Sequence, residues 1–214
     1  MIVMNRCDLK IELMSDMCVS DGGVYNSSLD TDVVYDSYGF PYIPAKRIKG
    51  CLREIALELK QMGLDVDPEI LFGSEGNSSG KVRVSDALLK DVECYRDDIN
   101  KSSNMRVFHP QNVLNYYTYI RTQTSIDYDY GVAEDASLRN MRVVKKGNTF
   151  LAKIEIDDES VSDAFRMCCT ALRHMGLSRT RGLGEIRCSV VAPETTSDKT
   201  ENDFALVEGA NRLY

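Results

Sequence analysis

Three stretches of the 214-residue sequence combine residue types at a spacing that suits chemistry on a phosphate. The first is YGFPYIPAKRIKGCLRE, residues 38–54. Here two prolines deliver an extended chain to a helix whose first turn carries Lys46, Arg47 and Lys49, with Arg53 a turn further on. Unpaired N–H groups at a helix start attract anions, and cations there oppose the macrodipole, so an anionic partner relieves a local cost. The competing reading is a solvated basic helix face. The second stretch is GLSRTRGLGE, residues 176–185, where glycines let a backbone come close to a ligand and Arg179 and Arg181 supply phosphate contacts. A basic surface turn is the plainer alternative. No strand precedes this stretch as a dinucleotide fingerprint requires, and LFGSEGNSSGK lacks the terminal Gly-Lys-Ser/Thr of a P-loop. The third is the acidic loop set Asp21, Asp30, Asp32 and Asp36, whose carboxylates either bind Mg²⁺ beside a scissile phosphate or are simply solvated.

Two histidines are present. Metal-independent RNA cleavage would use His109 as acid or base, and a structural or surface histidine is the alternative for it and for His174. Tyr42, Tyr116, Tyr117 and Tyr119 offer rings either for stacking on bases or for core and interface packing.

With 43% hydrophobic and 28% charged residues, the chain has the composition of an ordinary globular protein, long enough for a core without disulfides or metals. A formal net charge of −7 runs against a nucleic-acid partner, but net charge is a sum. Cations gather at 46–53, at Arg139, Arg142, Lys145 and Lys146, and at Arg173, Arg179 and Arg181. Acidic residues concentrate between 16 and 36 and again between 194 and 208. Seven cysteines without a Cys-x-x-Cys predict reduced, mostly buried thiols. The opening MIVMNRCDLKIEL carries Arg6, Asp8 and Lys10, unlike a signal peptide, and no apolar run is long enough to span a membrane, so a cytoplasmic location is expected.

These candidate groups need elements to hold them. Loose alternation from Ile2 to Met17, with Leu9, Ile11 and Leu13 on one face, predicts a long strand. Thr31 to Tyr35 reads as a short strand and Gly39 to Pro44 as extended chain. Residues 45–62 place Ile48, Leu52, Ile55, Ala56, Leu59 and Met62 at helical spacing, with Gly63 as the stop. A strand follows at Lys81 to Val84, and 95–138 reads as a long polar excursion. Arg139 to Asp157 reads as a β-hairpin turning at Lys146-Gly147-Asn148. Ser160 to Met175 is a second amphipathic helix, with Val161, Ala164, Phe165, Cys168, Leu172 and Met175 inward, and Gly184 to Val191 is a final strand. The order fits an α+β fold of the βαββαβ, ferredoxin-like or RRM-like kind with long insertions. It occupies residues 1–192, and 193–214 form a polar linker leading toward further ordered sequence.

In this order the segments resemble the RAMP superfamily, the RRM-like proteins that assemble type III CRISPR effectors on guide RNA. GFPYIPAKRIKGCLRE is similar to the family's entry motif, where an Ile-Pro and a Lys-Gly frame a helix bearing guide-RNA contacts. LFGS followed by GKVRVSDA is similar to its next block. RTQTSIDYDYGVAEDASLRNMRVVKKGNTFLAKIEI resembles its thumb-like insertion and following hairpin, and GLSRTRGLGEI its C-terminal glycine-rich loop. The wording TDVV and AKRIKG is most similar to the type III-D subunit with two RAMP domains, of which this chain would be the N-terminal one.

The resemblance implies a subunit that packs beside other effector subunits and holds guide RNA through Lys46, Arg47, Lys49, Arg53, Arg179 and Arg181. It also implies a thumb over Asn112 to Leu138, carrying Tyr116, Tyr117, Tyr119 and Arg121, that enters between guide and target RNA. The implied alternative is a Mg²⁺-dependent endoribonuclease of target RNA. In cutting subunits an aspartate precedes the Pro-x-Ile-Pro segment, and Asp30 is the match here. Asp32 stands where such subunits often carry proline. No other cofactor is expected. A third reading, a purely structural neighbour docking through acidic surface, involves no RNA at all.

Overall fold

Alternation at the N-terminus produces β1 (Asn5–Leu13), which buries Leu9, Ile11 and Leu13 as a period of two requires. The computed structural model describes residues 5–20, 29–74, 78–102, 108–126, 131–132 and 137–193; apart from Pro193, the expected linker over 193–214 lies outside these. From the extended Pro44 the chain enters α1 (Ala45–Gln61), which buries Ile48, Leu52 and Ala56. Met62, expected on the same stripe, is 75% exposed. The helix has ended there: Gly63 takes φ +86° and its N–H closes on the Lys60 carbonyl at 3.0 Å.

Next come α2 (Pro68–Phe72), capped by Asp67, and the short pair β2 (Gly73–Ser74) and β3 (Ser78–Ser79). β4 (Val82–Leu89) follows, longer than the sequence suggests. The polar stretch expected to be irregular contains α3 (Val92–Lys101), α4 (Pro110–Tyr117) and β5 (Thr118–Gln123). Its elements bury little (Val92 in α3, Leu114 in α4), so hydrophobic periodicity barely marks them. β6 (Arg139–Val144), β7 (Thr149–Ile156), α5 (Ser162–Ala171) and β8 (Ile186–Val191) complete the order. α5 stops short of the expected Met175, although Leu172 and Met175 are still buried.

The main sheet runs β4-β7-β1-β8 with every neighbour antiparallel, which gives βαββαβ once the insertions are set aside. Its inner face carries Leu9 and Ile11, Phe150, Ile154 and Ile186, packed in one core with Ile48 and Leu52 of α1 and Phe165 and Cys168 of α5. The opposite face is ionic, with Arg6 on Glu155 at 3.1 Å and Arg83 on Glu155 at 3.4 Å. All seven cysteines are free, with Cys18, Cys168 and Cys169 buried and Cys94 exposed. No helix among the described residues is long and apolar enough to cross a membrane.

The expected hairpin over 139–157 does not form. β6 pairs with β5 in a separate two-stranded sheet, while β7 pairs with β1 and β4. The turn between them is held by Leu13, which accepts from Gly147 N–H at 2.9 Å and donates to the Asn148 carbonyl at 3.0 Å. Met17 and Val144 exchange a pair of backbone bonds at 3.0 and 2.8 Å, so the two strands part into different sheets. Nor is 31–35 a strand: Thr31 makes one parallel bridge to Met141 and Tyr35 one to Pro41.

A buried ion pair joins this second sheet to the loop beside it. Arg142, 7% exposed, donates from Nε to Asp32 Oδ1 at 3.0 Å, and Asp32 is itself 8% exposed. The Arg142 Nη1 reaches Asn115 Oδ1 at 3.2 Å and Thr118 Oγ1 at 3.3 Å. Asp32→Ala leaves the guanidinium buried without its charge partner, and should lower the unfolding free energy by about 3 kcal/mol in urea denaturation.

Candidate nucleic-acid interface

The basic helix start is positioned by β4. Ile43 and Ala87 exchange backbone hydrogen bonds of 2.9 and 2.8 Å, which pins the Pro-rich entry along this strand. β4 carries one extra residue between Val84 and Ala87, and Asp86 lies within this irregularity. Its Oδ1 accepts the Ala45 N–H at 2.7 Å. A carboxylate therefore already satisfies the first donor of α1, where the sequence suggested a phosphate. The cationic side chains on the flank of the helix remain. Lys46, Arg47 and Lys49 are exposed, and Arg53 is half-buried. Arg47 donates from Nη2 to the Ser20 carbonyl at 2.8 Å. Lys46, Lys49, Arg53 and Arg181 form no salt bridge among the described residues.

The glycine-rich loop comes to the same flank. Arg179 lies in a 3₁₀ turn, Arg179–Arg181, and meets Glu54 of α1 at 3.4 Å. Arg47 and Arg179 both act on Cys51 beside them: burial and Glu54 push its thiol pKa up, and the two guanidiniums oppose the rise. Arg179 and the Glu54 it meets are 125 residues apart in sequence, so the fold brings the loop's charge to the flank of α1.

Most glycines of that loop serve the fold rather than a ligand. Gly176 has φ +91°, and a Cβ there would stand 2.5 Å from the Cys18 carbonyl oxygen. Gly184 has φ +74°, and its Cβ would lie 2.0 Å from the Met175 carbonyl oxygen. Gly182, between the two arginines and Leu183, faces open space.

The three described loop aspartates, Asp30, Asp32 and Asp36, do not converge. Asp21 lies outside the described residues. Asp32 is committed to Arg142 and to the Val33 N–H at 2.8 Å, so it is a structural carboxylate rather than one free to place a metal. Asp36 accepts the N–H groups of Tyr38 and Phe40, each at 2.9 Å, and pairs with Arg96. Asp30 is exposed, its Oδ2 accepting the Asn140 N–H at 2.7 Å at the edge of the second sheet. Among the described residues no group of three metal-ligating side chains gathers.

The aromatic candidates also separate. Tyr117 packs on Phe40 with ring centroids 5.8 Å apart, and burial pushes its pKa up to about 12, so its ring belongs to the core. The Tyr119 hydroxyl donates to Asp16 Oδ2 at 2.7 Å, a bond that raises its pKa. Tyr116 is 66% exposed, with Lys145 Nζ 5.9 Å from its ring centroid. Arg121 is partly exposed on β5, and Tyr42 is half-buried before α1. His109 caps α4 through Nδ1, which accepts the Gln111 N–H at 3.3 Å, and His174 is exposed with its backbone bridged to Glu185.

Sequence reasoning passed over Asp86 and Glu54, and took Gly50 only as half of the Lys-Gly that frames the helix. Nothing in the spacing places Asp86 on α1 or Glu54 beside the loop, because both contacts are tertiary. Gly50, an isolated glycine inside a helical pattern, was visible as an anomaly.

The model of the RAMP superfamily matches residues 10–187. The chain belongs to this superfamily. Two cryo-EM structures of the type III-B Cmr-beta, one bound to cognate target RNA and one in the apo state, each contain a chain of the same fold. The TM-scores are 0.67 and 0.66, at 16% identity, over 87% of this chain and 97% of the other. No curated protein matches the sequence.

Gly184→Ala should destabilise the chain by about 2 kcal/mol or more in urea, through both the left-handed backbone and the Met175 carbonyl. Gly182→Ala, with only the backbone term, should cost less.

Proposed function

We propose that this chain is a subunit of a type III CRISPR effector that holds guide RNA along the exposed flank of α1 and the basic turn of the glycine-rich loop. The observation that carries this reading is the Arg179–Glu54 contact at 3.4 Å, which brings Arg179 to the helix that carries Lys46, Arg47, Lys49 and Arg53. Membership of the RAMP superfamily and the likeness of fold to a chain in an effector bound to target RNA support it. Lys and Arg contacts to phosphate hold a strand without reading it, which leaves guide bases free to pair with a target. Tyr116, 66% exposed beside Lys145, is the best exposed tyrosine among the described residues to meet a base.

Single-stranded guide-type RNA should bind the chain with a steep salt dependence. The variant K46A/R47A/K49A should bind more weakly, with the slope of log K against log salt smaller by about 2, from three lost phosphate contacts. Equal slopes in the two proteins would overturn the assignment of RNA to this face.

A second reading, Mg²⁺-dependent cleavage of target RNA, rests on Asp30, the described loop aspartate whose carboxylate remains open to solvent. On this reading Asp30→Ala abolishes cleavage by the assembled effector and leaves guide binding unchanged, and EDTA has the same effect. Cleavage that survives the substitution would remove Asp30 from the chemistry.

A further inference from the structure

α1 carries a glycine where a helix has least use for one. Gly50 is the sixth residue of a 17-residue helix. Glycine is the poorest helix former apart from proline, because it surrenders the most backbone freedom on ordering. The reasons that account for Gly176 and Gly184 do not apply here. Gly50 has helical backbone, it is exposed, and a Cβ built on it meets nothing within 4 Å. Neither backbone conformation nor packing among the described residues calls for glycine at this position.

Its surroundings do give a reason. On a helix surface the neighbours of a residue lie three and four positions away. For Gly50 these are Lys46 and Arg47 on one side and Arg53 and Glu54 on the other, with Lys49 alongside. Glu54 in turn receives Arg179 from the glycine-rich loop at 3.4 Å. At the helix start Asp86 already takes the Ala45 N–H, and the cations of this flank are the groups left to meet an anion.

We propose that Gly50 is the floor of a basic depression through which the sugar–phosphate backbone of bound RNA approaches the backbone of α1, and that any side chain there holds the strand away from the surrounding cations. This deepens the guide-RNA reading above and rests on it. A bare position flanked by four cations, with Glu54 turned to Arg179, suits a continuous polyanion, whose successive phosphates meet several cations at once only if the strand lies close. An isolated carboxylate on a protein partner reaches a cation without needing such a position.

The test compares Gly50→Ala and Gly50→Leu in the full chain with the parent and with K46A/R47A/K49A. Each is titrated with labelled single-stranded guide-type RNA across a salt series and unfolded in urea in parallel. Both glycine variants should be at least as stable as the parent, because helix propensity rises. Their RNA affinity should nevertheless fall, about tenfold for alanine, equivalent to one lost charged contact, and further for leucine. Unchanged affinity in both, while the triple variant loses binding, overturns the role of Gly50 and leaves the RNA site standing. Unchanged binding by the triple variant overturns the site and this inference with it. Weaker binding accompanied by a lower urea midpoint marks a folding defect and overturns the proposal. So does normal RNA binding with failed assembly onto the protein subunits of the effector, which would make the depression a protein contact.

Discussion

The placement of α1 depends on a short stretch of backbone pairing between the entry segment and β4. Ile43 and Ala87 exchange both of their backbone hydrogen bonds, and one residue earlier in β4 Asp86 takes the first N–H of the helix. The irregularity between Val84 and Ala87 makes both contacts available from one strand. Buried apolar residues on α1 then set its rotation, so the opposite side, with its four cations, must face out. An acid at the helix start also offsets the unfavourable placement of Lys46, Arg47 and Lys49 against the macrodipole. The basic flank is thus held by neutral packing below and by one carboxylate at its end.

The second sheet is attached by different means. Besides the Met17–Val144 backbone pair and the buried Val143 and Val144, its polar contacts run through Arg142, which Asp32, Asn115 and Thr118 surround, and through Asp16, which accepts from both Tyr119 and Lys146. A buried charge network of this kind is demanding in geometry, since each lost partner leaves a desolvated group behind. It holds the Asp30 loop in register with β6, where Asn140 pairs with Asp30 through both backbone and carboxylate. The loop and the second sheet are accordingly tied to each other, apart from the α1 flank.

A net charge of −7 and an RNA-facing role are compatible for a concrete reason. Many of the acidic residues are occupied locally: Asp32, Asp36, Asp67, Asp158 and Glu155 each pair with a cation or cap a backbone N–H. Several cations on α1 and the loop are not so occupied among the described residues, and the field there follows them rather than the sum.

Periodicity alone determined the parts of this fold that bury one clear face. β1, α1 and α5 were legible because Leu9, Ile11 and Leu13, then Ile48, Leu52 and Ala56, then Phe165 and Cys168 repeat at the period of their elements. The βαββαβ order and the four motif blocks came with them, and so did the basic segments. The rest was decided by contacts between distant residues. A strand's alternation is the same whichever neighbour it pairs with, so only the bonds of Leu13 and Met17 could separate β6 from β7. The helices α3 and α4 bury too few residues to write a pattern. Asp30 and Asp32 look equivalent two positions apart, and only Arg142 makes one structural and leaves the other exposed. The sequence named the cations, and the fold brought Arg179 to Glu54 and made them one surface, because charge can be counted along a chain but a field depends on where the chain goes.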